Sequence, residues 1–273
     1  MKKFACAFAL LMLVCPAMWA GVVIEMEEKD AGSTGDAPTH KIYAQGEMLR
    51  MDPHVKGSTD DLSVIFRDDM LWIVNHTERT CQTIDKEGME QLSSQLGAAM
   101  SQMEASLSQL PPEQRAMVEK MMKSKMPAGI PGAGEAPPRR METGGTDQVG
   151  EYSCVVHTLY VGDETAWEVC AASKSQLSGA SEAMEAFQAI SGFMSTLRDA
   201  VQQGPFSSIA NTPFYDMDKI DGFPVRVRTF GGGQLASEST LKSVTQKNLE
   251  EAIFSAPEGY EVQNLADQMN RGQ

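Results

Sequence analysis

The sequence predicts an α+β fold built on a mostly antiparallel sheet, and three observations lead to this. Short apolar segments recur along the chain, separated by turn residues such as Asp-Pro, Gly-Ser and Asp-Asp. Other, longer segments repeat apolar residues every three or four positions, which is typical of amphipathic helices. The strand-like segments do not alternate one for one with helices, so a doubly wound parallel sheet is not expected.

The first half of the chain predicts an antiparallel meander followed by a Met-rich helical pair. The strand-like segments are 21–28, 40–52, 61–66, 70–75 and 80–85. A helical stripe follows, made of Met89, Leu92, Leu96, Met100, Met103, Leu107 and Leu110. Pro111-Pro112 ends this helix, and a second helix is predicted to begin at Glu113. We therefore expect a Met-rich helical insertion over 86–126, followed by a flexible Pro/Gly linker over 127–138.

The second half predicts further strands around a third helix. Strand-like segments cover 139–143, 151–161 and 165–173, and an apolar stripe over 177–201 ends at Gly204-Pro205. A hairpin is predicted from 223–230 and 234–249, joined by three consecutive glycines. The whole of 21–273 is interpreted as a single domain, which is within the usual size range.

The N-terminal residues 1–20 have the layout of a secretory signal peptide. Lys2 and Lys3 precede an apolar run, and small residues follow at Ala17 and Ala20. The run is shorter than the roughly 20 residues that a membrane-spanning helix needs. Cys15 offers an alternative, lipidation of a lipoprotein signal, which the bulky Val14 before it disfavours. The expected location is therefore periplasmic or secreted, where disulfides persist.

The charge of the chain argues against two classes of partner. The 23 basic and 37 acidic residues give a net charge of −14, and loss of Lys2 and Lys3 with the signal would make it −16. Nucleic acids and anionic membranes both attract basic surfaces, so neither is an expected partner.

Cys154 and Cys170 are the predicted disulfide. With a three-residue loop between their strands they lie directly opposite each other, at a separation that a disulfide accepts. The commoner two-residue loop, Gly162-Asp163, would place them on opposite faces of the hairpin. Bonds from Cys81 to either cysteine are the alternative, and the oxidising compartment favours the first pairing.

No motif in the sequence supplies catalytic chemistry. Cys154 and His157 are three residues apart on one strand, so their side chains point to opposite faces. The four histidines are His40, His54, His76 and His157, and they lack metal-binding spacing. The clustered methionines could bind Cu(I), although methionine more often fills an apolar helix stripe. No enzymatic activity, cofactor or bound metal is expected.

Five stretches carry a resemblance to a known family: GVVIEME, LWIVNHTERTCQTID, GEYSC, GFPVRV and FSAPEGY. In this order, the sequence resembles a family of secreted bacterial proteins classed only as a domain of unknown function. That family is similar to the periplasmic lipoprotein-carrier superfold. The resemblance implies a strongly curved sheet, wrapped as a half-open barrel, with helices capping its concave side. The long Met-rich helical pair and linker depart from the carriers, and no carrier-specific loop can be matched.

The resemblance implies a non-enzymatic periplasmic binding protein for a hydrophobic ligand, either an acyl chain or a lipoprotein. The residues expected to contact the ligand are Met89, Leu92, Leu96, Met100 and Met103. Two alternatives stay open: an envelope protein-interaction module that uses the Met-rich helices, and a Met-based copper binder.

We predict that limited proteolysis cleaves the mature chain first within 127–138. Proline, glycine and alanine there bury too little surface to offset the entropy of ordering. Mass spectrometry of the early fragments would locate the first cut. A first cut inside 151–173 would contradict the predicted linker.

Overall fold

The computed structural model describes residues 21–33, 37–53, 61–111, 113–115, 117, 138–201 and 213–271. The predicted signal peptide, the linker up to residue 137, most of the second Met-rich helix and His54 lie outside the described residues.

Twelve strands form a single sheet. In chain order they are β1 (Gly21–Asp30), β2 (Thr39–Gln45), β3 (Met48–Asp52), β4 (Leu62–Arg67), β5 (Met70–Asn75), β6 (Thr80–Asp85), β7 (Arg139–Val149), β8 (Tyr152–Val161), β9 (Glu164–Ala172), β10 (Phe223–Gly231), β11 (Gln234–Lys247) and β12 (Glu261–Asn264). The spatial order is β12-β6-β5-β4-β3-β2-β1-β11-β10-β9-β8-β7. Every neighbouring pair is antiparallel except β12 and β6, which are parallel. The sheet is curved and, within the described residues, its outer strands β12 and β7 do not pair, so it stays open.

The helices that the structure describes in full beside the sheet are α1 (Lys86–Ser108), α2 (Ala180–Val201) and α3 (Leu265–Arg271). α1 begins at an N-cap, because the Asp85 carboxylate accepts a hydrogen bond from the Gly88 backbone N–H at 2.8 Å. α2 approaches the sheet closely through the fully buried Ala180, Ala183 and Ala186. Among the described residues, the helices are too short or too polar to cross a bilayer.

The mostly antiparallel α+β architecture is confirmed, and one local prediction is wrong. The segment 40–52 is two strands, because Gly46 takes a left-handed conformation (φ 57°) and turns the chain. The C-terminal tail adds the parallel strand β12 and helix α3, which alternation alone could not identify in so short a segment. α1 and α2 pack on one face of the sheet; that this is the concave face stays a prediction.

Both faces of the sheet carry buried side chains. The main core lies on the face covered by α1 and α2, which we call the helix face, and it includes Val22, Leu49, Phe66, Met184 and Phe187. Two smaller cores are separate from it, and the one around Phe254 lies on the opposite face. One surrounds Trp167 under the 3-10 turn Pro213–Lys219, and the other surrounds Phe254 in the C-terminal segment.

The C-terminal segment connects the two faces around one edge of the sheet. After β11 it crosses the opposite face, where Phe254 is fully buried against Ile65 and Val74. It then adds β12 beside β6, and α3 packs against α1. This route fixes the start of α1 relative to the strands.

The structure joins Cys154 and Cys170 in a disulfide, with a Cα–Cα distance of 5.3 Å. The pairing of β8 with β9 differs from both registers expected from the sequence, the one for a three-residue loop and the one for a two-residue loop. The β8–β9 loop is the two-residue Gly162-Asp163, but a bulge between Leu159 and Tyr160 shifts the pairing by one residue. Cys154 therefore lies opposite Ala172, and Cys170 opposite Val156, so the two cysteines are diagonal neighbours on one face. Without the bulge, the two-residue loop would have placed the two cysteines on opposite faces of the hairpin. With the bulge, they lie on the same face.

Gly222 allows the chain to enter β10 directly against β9. Its φ is 122°, and a Cβ atom there would lie 2.6 Å from the Ala172 carbonyl oxygen. Gly232 also has positive φ, at 58°, but a Cβ there would meet nothing within 4 Å. A side chain at Gly222 would therefore meet both a steric clash and backbone strain, whereas one at Gly232 would meet backbone strain alone.

We predict that Gly222→Ala destabilises the protein by about 3 kcal/mol, since strain and a backbone clash combine. Gly232→Ala serves as the matched control and should cost only about 1 kcal/mol, because an alanine can occupy the left-handed region at that cost. Urea unfolding would measure both changes. Equal destabilisation by the two variants would show that the clash with Ala172 is relieved at little cost.

Candidate functional site

Side chains on the helix face form rows that cross the sheet perpendicular to the strands. The row nearest the helices is buried throughout, with no member more than 8% exposed. Its members, aligned by cross-strand register, are Val22, Ala44, Leu49, Phe66, Leu71 and Ile84. This row provides the dry contact on which α2 packs.

The next row on the same face is also apolar but is only partly covered. We call it the apolar row, and its members are Val244, Ile24, Ile42, Met51, Val64 and Ile73. Each is the direct cross-strand partner of the next, from β11 through β1, β2, β3 and β4 to β5. At about 4.8 Å between strands, the row is roughly 24 Å long.

Exposure increases along the apolar row toward the edge of the sheet. Ile24 is 1% exposed, the side chains on β2, β3 and β4 are half-buried, and Ile73 is 38% exposed. Ile73 is one of the few large apolar side chains in the described chain that are this exposed. The row therefore opens at β5.

The helices lie beside the apolar row. The Phe193 ring of α2 lies 5.3 Å from that of Phe66, which is two residues along β4 from Val64 on the same face. Met194 of α2 and Leu92 of α1 are also half-buried, and both pack against the same core as Val64. Partly covered apolar side chains from strands and helices thus pack against the same core.

The residues that the sequence predicted as ligand contacts fall into different environments. Met89 is 2% exposed and belongs to the main core. Leu92 and Met103 are half-buried. Leu96 and Met100 are within α1, but their side chains lie outside the described residues. Of the predicted set, Leu92 is the residue that the structure places against the core beside the apolar row.

The strand residues of the apolar row were missed by sequence reasoning. Ile42, Met51, Val64 and Ile73 each occupy an apolar position in a predicted strand, which is the ordinary pattern of a core residue. Only the register of three consecutive strand pairings shows that they align in one row. The sequence offered only the alternation of apolar and polar residues within each strand.

A polar network on the opposite face contains a serine–histidine pair. The Ser63 hydroxyl lies 2.8 Å from His76 Nε2 and 2.6 Å from Asp52 Oδ1. Arg50 donates to the Ser63 hydroxyl and to Asp52 Oδ1, at 3.0 and 2.8 Å. His76 Nδ1 lies 3.1 Å from the Tyr260 hydroxyl, so the network reaches the C-terminal segment.

The hydrogen-bond directions in this network do not suit nucleophilic catalysis. A carboxylate only accepts, so Ser63 donates its single proton to Asp52. His76 Nε2 is then the donor to Ser63, whereas a general base must accept the serine proton. Ser63 is also 1% exposed. The network instead ties Tyr260 and, through Arg50 and the Ile253 carbonyl, the rest of the C-terminal segment to β3, β4 and β5.

The other described histidines are also structural. His40 Nε2 lies 2.6 Å from a Glu28 carboxylate oxygen. His157 is 7% exposed, and its Nδ1 is 3.3 Å from the Thr143 hydroxyl. Burial lowers the pKa of His157, and the nearby charge of Asp221 offsets this only in part. Among the described residues, no group of three or more His, Cys, Asp and Glu side chains could hold a metal ion.

The chain is similar in structure to several solved proteins at low sequence identity. No family model matches it, and no curated protein matches it. An uncharacterized conserved protein from Thermus thermophilus has a TM-score of 0.44 and 9% identity over 90% of this chain and 91% of its own. MucB, in the Pseudomonas aeruginosa MucA/MucB complex structure, gives 0.37 and 13%, over 90% of this chain and 59% of the matched chain.

The neighbours include a LolA superfamily protein from Nitrosomonas europaea, with a TM-score of 0.27 and 7% identity over 88% of this chain and 91% of its own. This agrees with the resemblance to a lipoprotein-carrier-like protein noted from the sequence. All three TM-scores are below 0.5.

We predict that His157 makes the fold less stable in mild acid. Because its pKa is lower in the folded state than the usual value of about 6.5, the unfolded chain binds the proton more readily as pH falls. The free energy of unfolding should be highest above pH 7, where His157 is neutral in both states. It should decrease as the pH falls through 6.5 toward the pKa of His157 in the folded state. Urea unfolding at pH 7.5 and 5.5 would measure this.

His157→Gln provides the control, since it keeps a hydrogen-bonding side chain but does not titrate. The variant should lose less stability than the parent between these two pH values. An identical loss would assign the acid sensitivity to other groups.

Proposed function

We propose that this protein is a non-enzymatic envelope protein that binds an elongated hydrophobic ligand, an acyl chain of a lipid or lipoprotein, along the apolar row. The observation that carries the proposal is the alignment of six apolar side chains, in direct register, that become more exposed from Ile24 to Ile73. A folded monomer gains little from arranging exposed apolar side chains in a line. A ligand laid across the strands would cover them.

The dimensions and composition of the row suit an acyl chain. Its length of roughly 24 Å exceeds the roughly 15 Å that one acyl chain spans in a bilayer leaflet. Covering apolar area stabilises a complex by about 25 cal/mol per Å² before the costs of association. Met51 in the row and Met194 of α2, which packs against the same core, have flexible thioether side chains that adapt to acyl chains of different shape.

The same observations favour binding over catalysis. The Ser63–His76 pair lies on the face opposite the apolar row, and its hydrogen bonds run in the wrong direction for a nucleophile and its base. The remaining described histidines are held by Glu28 and Thr143. We therefore assign the protein no enzymatic activity.

A location outside the cytoplasm is part of the proposal. It is supported by the signal-like residues 1–20 and by the Cys154–Cys170 disulfide, since such bonds persist in oxidising compartments. Cell fractionation of a C-terminally tagged chain would test it. Recovery of the full-length chain, including residues 1–20, in the cytoplasmic fraction would contradict it.

A protein-interaction role is the second candidate function. It is supported by Met117, a helical residue after α1 whose side chain is 66% exposed. Native mass spectrometry of protein purified without detergent separates the two candidates. A co-purified lipid mass supports the first, and a co-purified polypeptide supports the second.

We predict that Ile73→Asp weakens the binding of the neutral fluorescent probe N-phenyl-1-naphthylamine at least tenfold, or about 1.4 kcal/mol. A carboxylate at this position must lose hydration without a partner when the probe covers it. Fluorescence titration of the mature protein would measure the affinity.

Leu235→Asp is the matched control. Leu235 is 39% exposed, almost the same as Ile73, but it lies in the β10–β11 hairpin outside the apolar row. The control should fold and bind like the parent. Equal binding by both variants, or no binding by the parent, would remove the support for a site on the apolar row.

A further inference from the structure

The apolar row continues into glutamines at the edge of the sheet. Ile73 of β5 is the cross-strand partner of Gln82 on β6, and Gln82 is the partner of Gln263 on β12. Across the helix face, the six apolar side chains of the row are therefore followed by two carboxamide side chains. The change occurs at the end where the row is most exposed.

The two glutamines differ in how they are held. Gln263 is half-buried; its amide donates to the Glu261 carboxylate at 2.7 Å, and its carbonyl oxygen accepts from Gln268 of α3. Gln82 is exposed, and its carboxamide has no hydrogen-bond partner among the described residues. Gln263 is thus fixed by its neighbours, whereas Gln82 keeps two donors and an acceptor for a ligand.

A carboxylate stands beside Gln263 at this end of the row. Gln263 contacts the Glu261 carboxylate directly, and Glu261 is exposed. A second carboxylate brought to this end would be repelled by Glu261 and would give up part of its hydration. A hydroxyl or amide group would instead exchange its water for the Gln82 carboxamide at little cost.

We propose that the ligand carries an uncharged, hydrogen-bonding head group at Gln82, with its acyl chain extending along the apolar row toward Ile24. This inference rests on the proposed function and adds the class and orientation of the ligand. An acylglycerol fits the description, and a free fatty acid does not. Gln82 is the residue that determines this preference.

The test compares two competitors with the same acyl chain, monolauroylglycerol and laurate, at pH 7.5 and below the concentrations at which they form micelles. Each would displace N-phenyl-1-naphthylamine from the mature protein. We expect the glycerol ester to act at about fivefold lower concentration than the acid, which corresponds to about one hydrogen bond.

Two substitutions at Gln82 assign the preference to this residue. Gln82→Leu should reduce the preference for the ester, and Gln82→Lys should reverse it in favour of laurate. Gln234→Lys makes the same charge change at an exposed glutamine in the β10–β11 hairpin and should leave the preference unchanged. Thermal unfolding would check that all the variants fold, as expected for substitutions at exposed positions.

The outcomes separate this inference from the proposed function. If both competitors displace the probe with equal affinity, or if laurate is favoured, the row binds acyl chains and the head-group assignment is wrong. The assignment is equally wrong if the Gln82 variants keep the preference of the parent. If neither competitor displaces the probe, the proposed function fails and this inference fails with it.

Discussion

Strand β1 joins the two halves of the sheet, and the rest of the architecture depends on its pairing at both edges. It pairs with β2 from Val22 to Glu27 and with β11 along its whole length. Strands β2 to β6 and β12 lie on one side of it, and β7 to β11 lie on the other. The loop before α2 also approaches β1 closely, since a Cβ atom on Gly179 would lie 2.1 Å from Val22 Cγ1. The register of β1 therefore aligns both half-sheets and seats the helix.

The two half-sheets differ in regularity, which helps to explain the curvature. The pairings from β2 to β6 run without a register shift in the described residues. Bulges interrupt the other half, in the pairings of β7 with β8, β8 with β9, β9 with β10, and β11 with both β10 and β1. A bulge bends and twists the strand that contains it. The regular half keeps members of the apolar row in direct register, and the bulges add bend and twist to the other half.

Covering both faces has consequences for the candidate site. On the face opposite the helices, the C-terminal segment is held by Phe254 in a dry core and by the Arg50, Ser63, His76 and Tyr260 network. The same segment then supplies β12 and α3 at the edge of the sheet. Gln263 therefore lies beside Gln82, with Gln268 bonded to it, at the end of a segment that is held on the other face. The path of the C-terminal segment around the edge of the sheet therefore creates the polar end of the row.

The sequence by itself determined the class of fold, the approximate position of most strands and the two long helices, and it indicated the disulfide partners. These features follow from local periodicity and turn residues, as at 70–75 and 80–85, where the predicted strands match the observed ones. The tertiary structure decided the parallel placement of β12, the bulge that brings Cys154 and Cys170 to one face, and the apolar row. Each depends on which residues lie opposite one another in different strands. Alternation within a strand carries no information about that register, because shifting a strand by two residues leaves its own pattern unchanged.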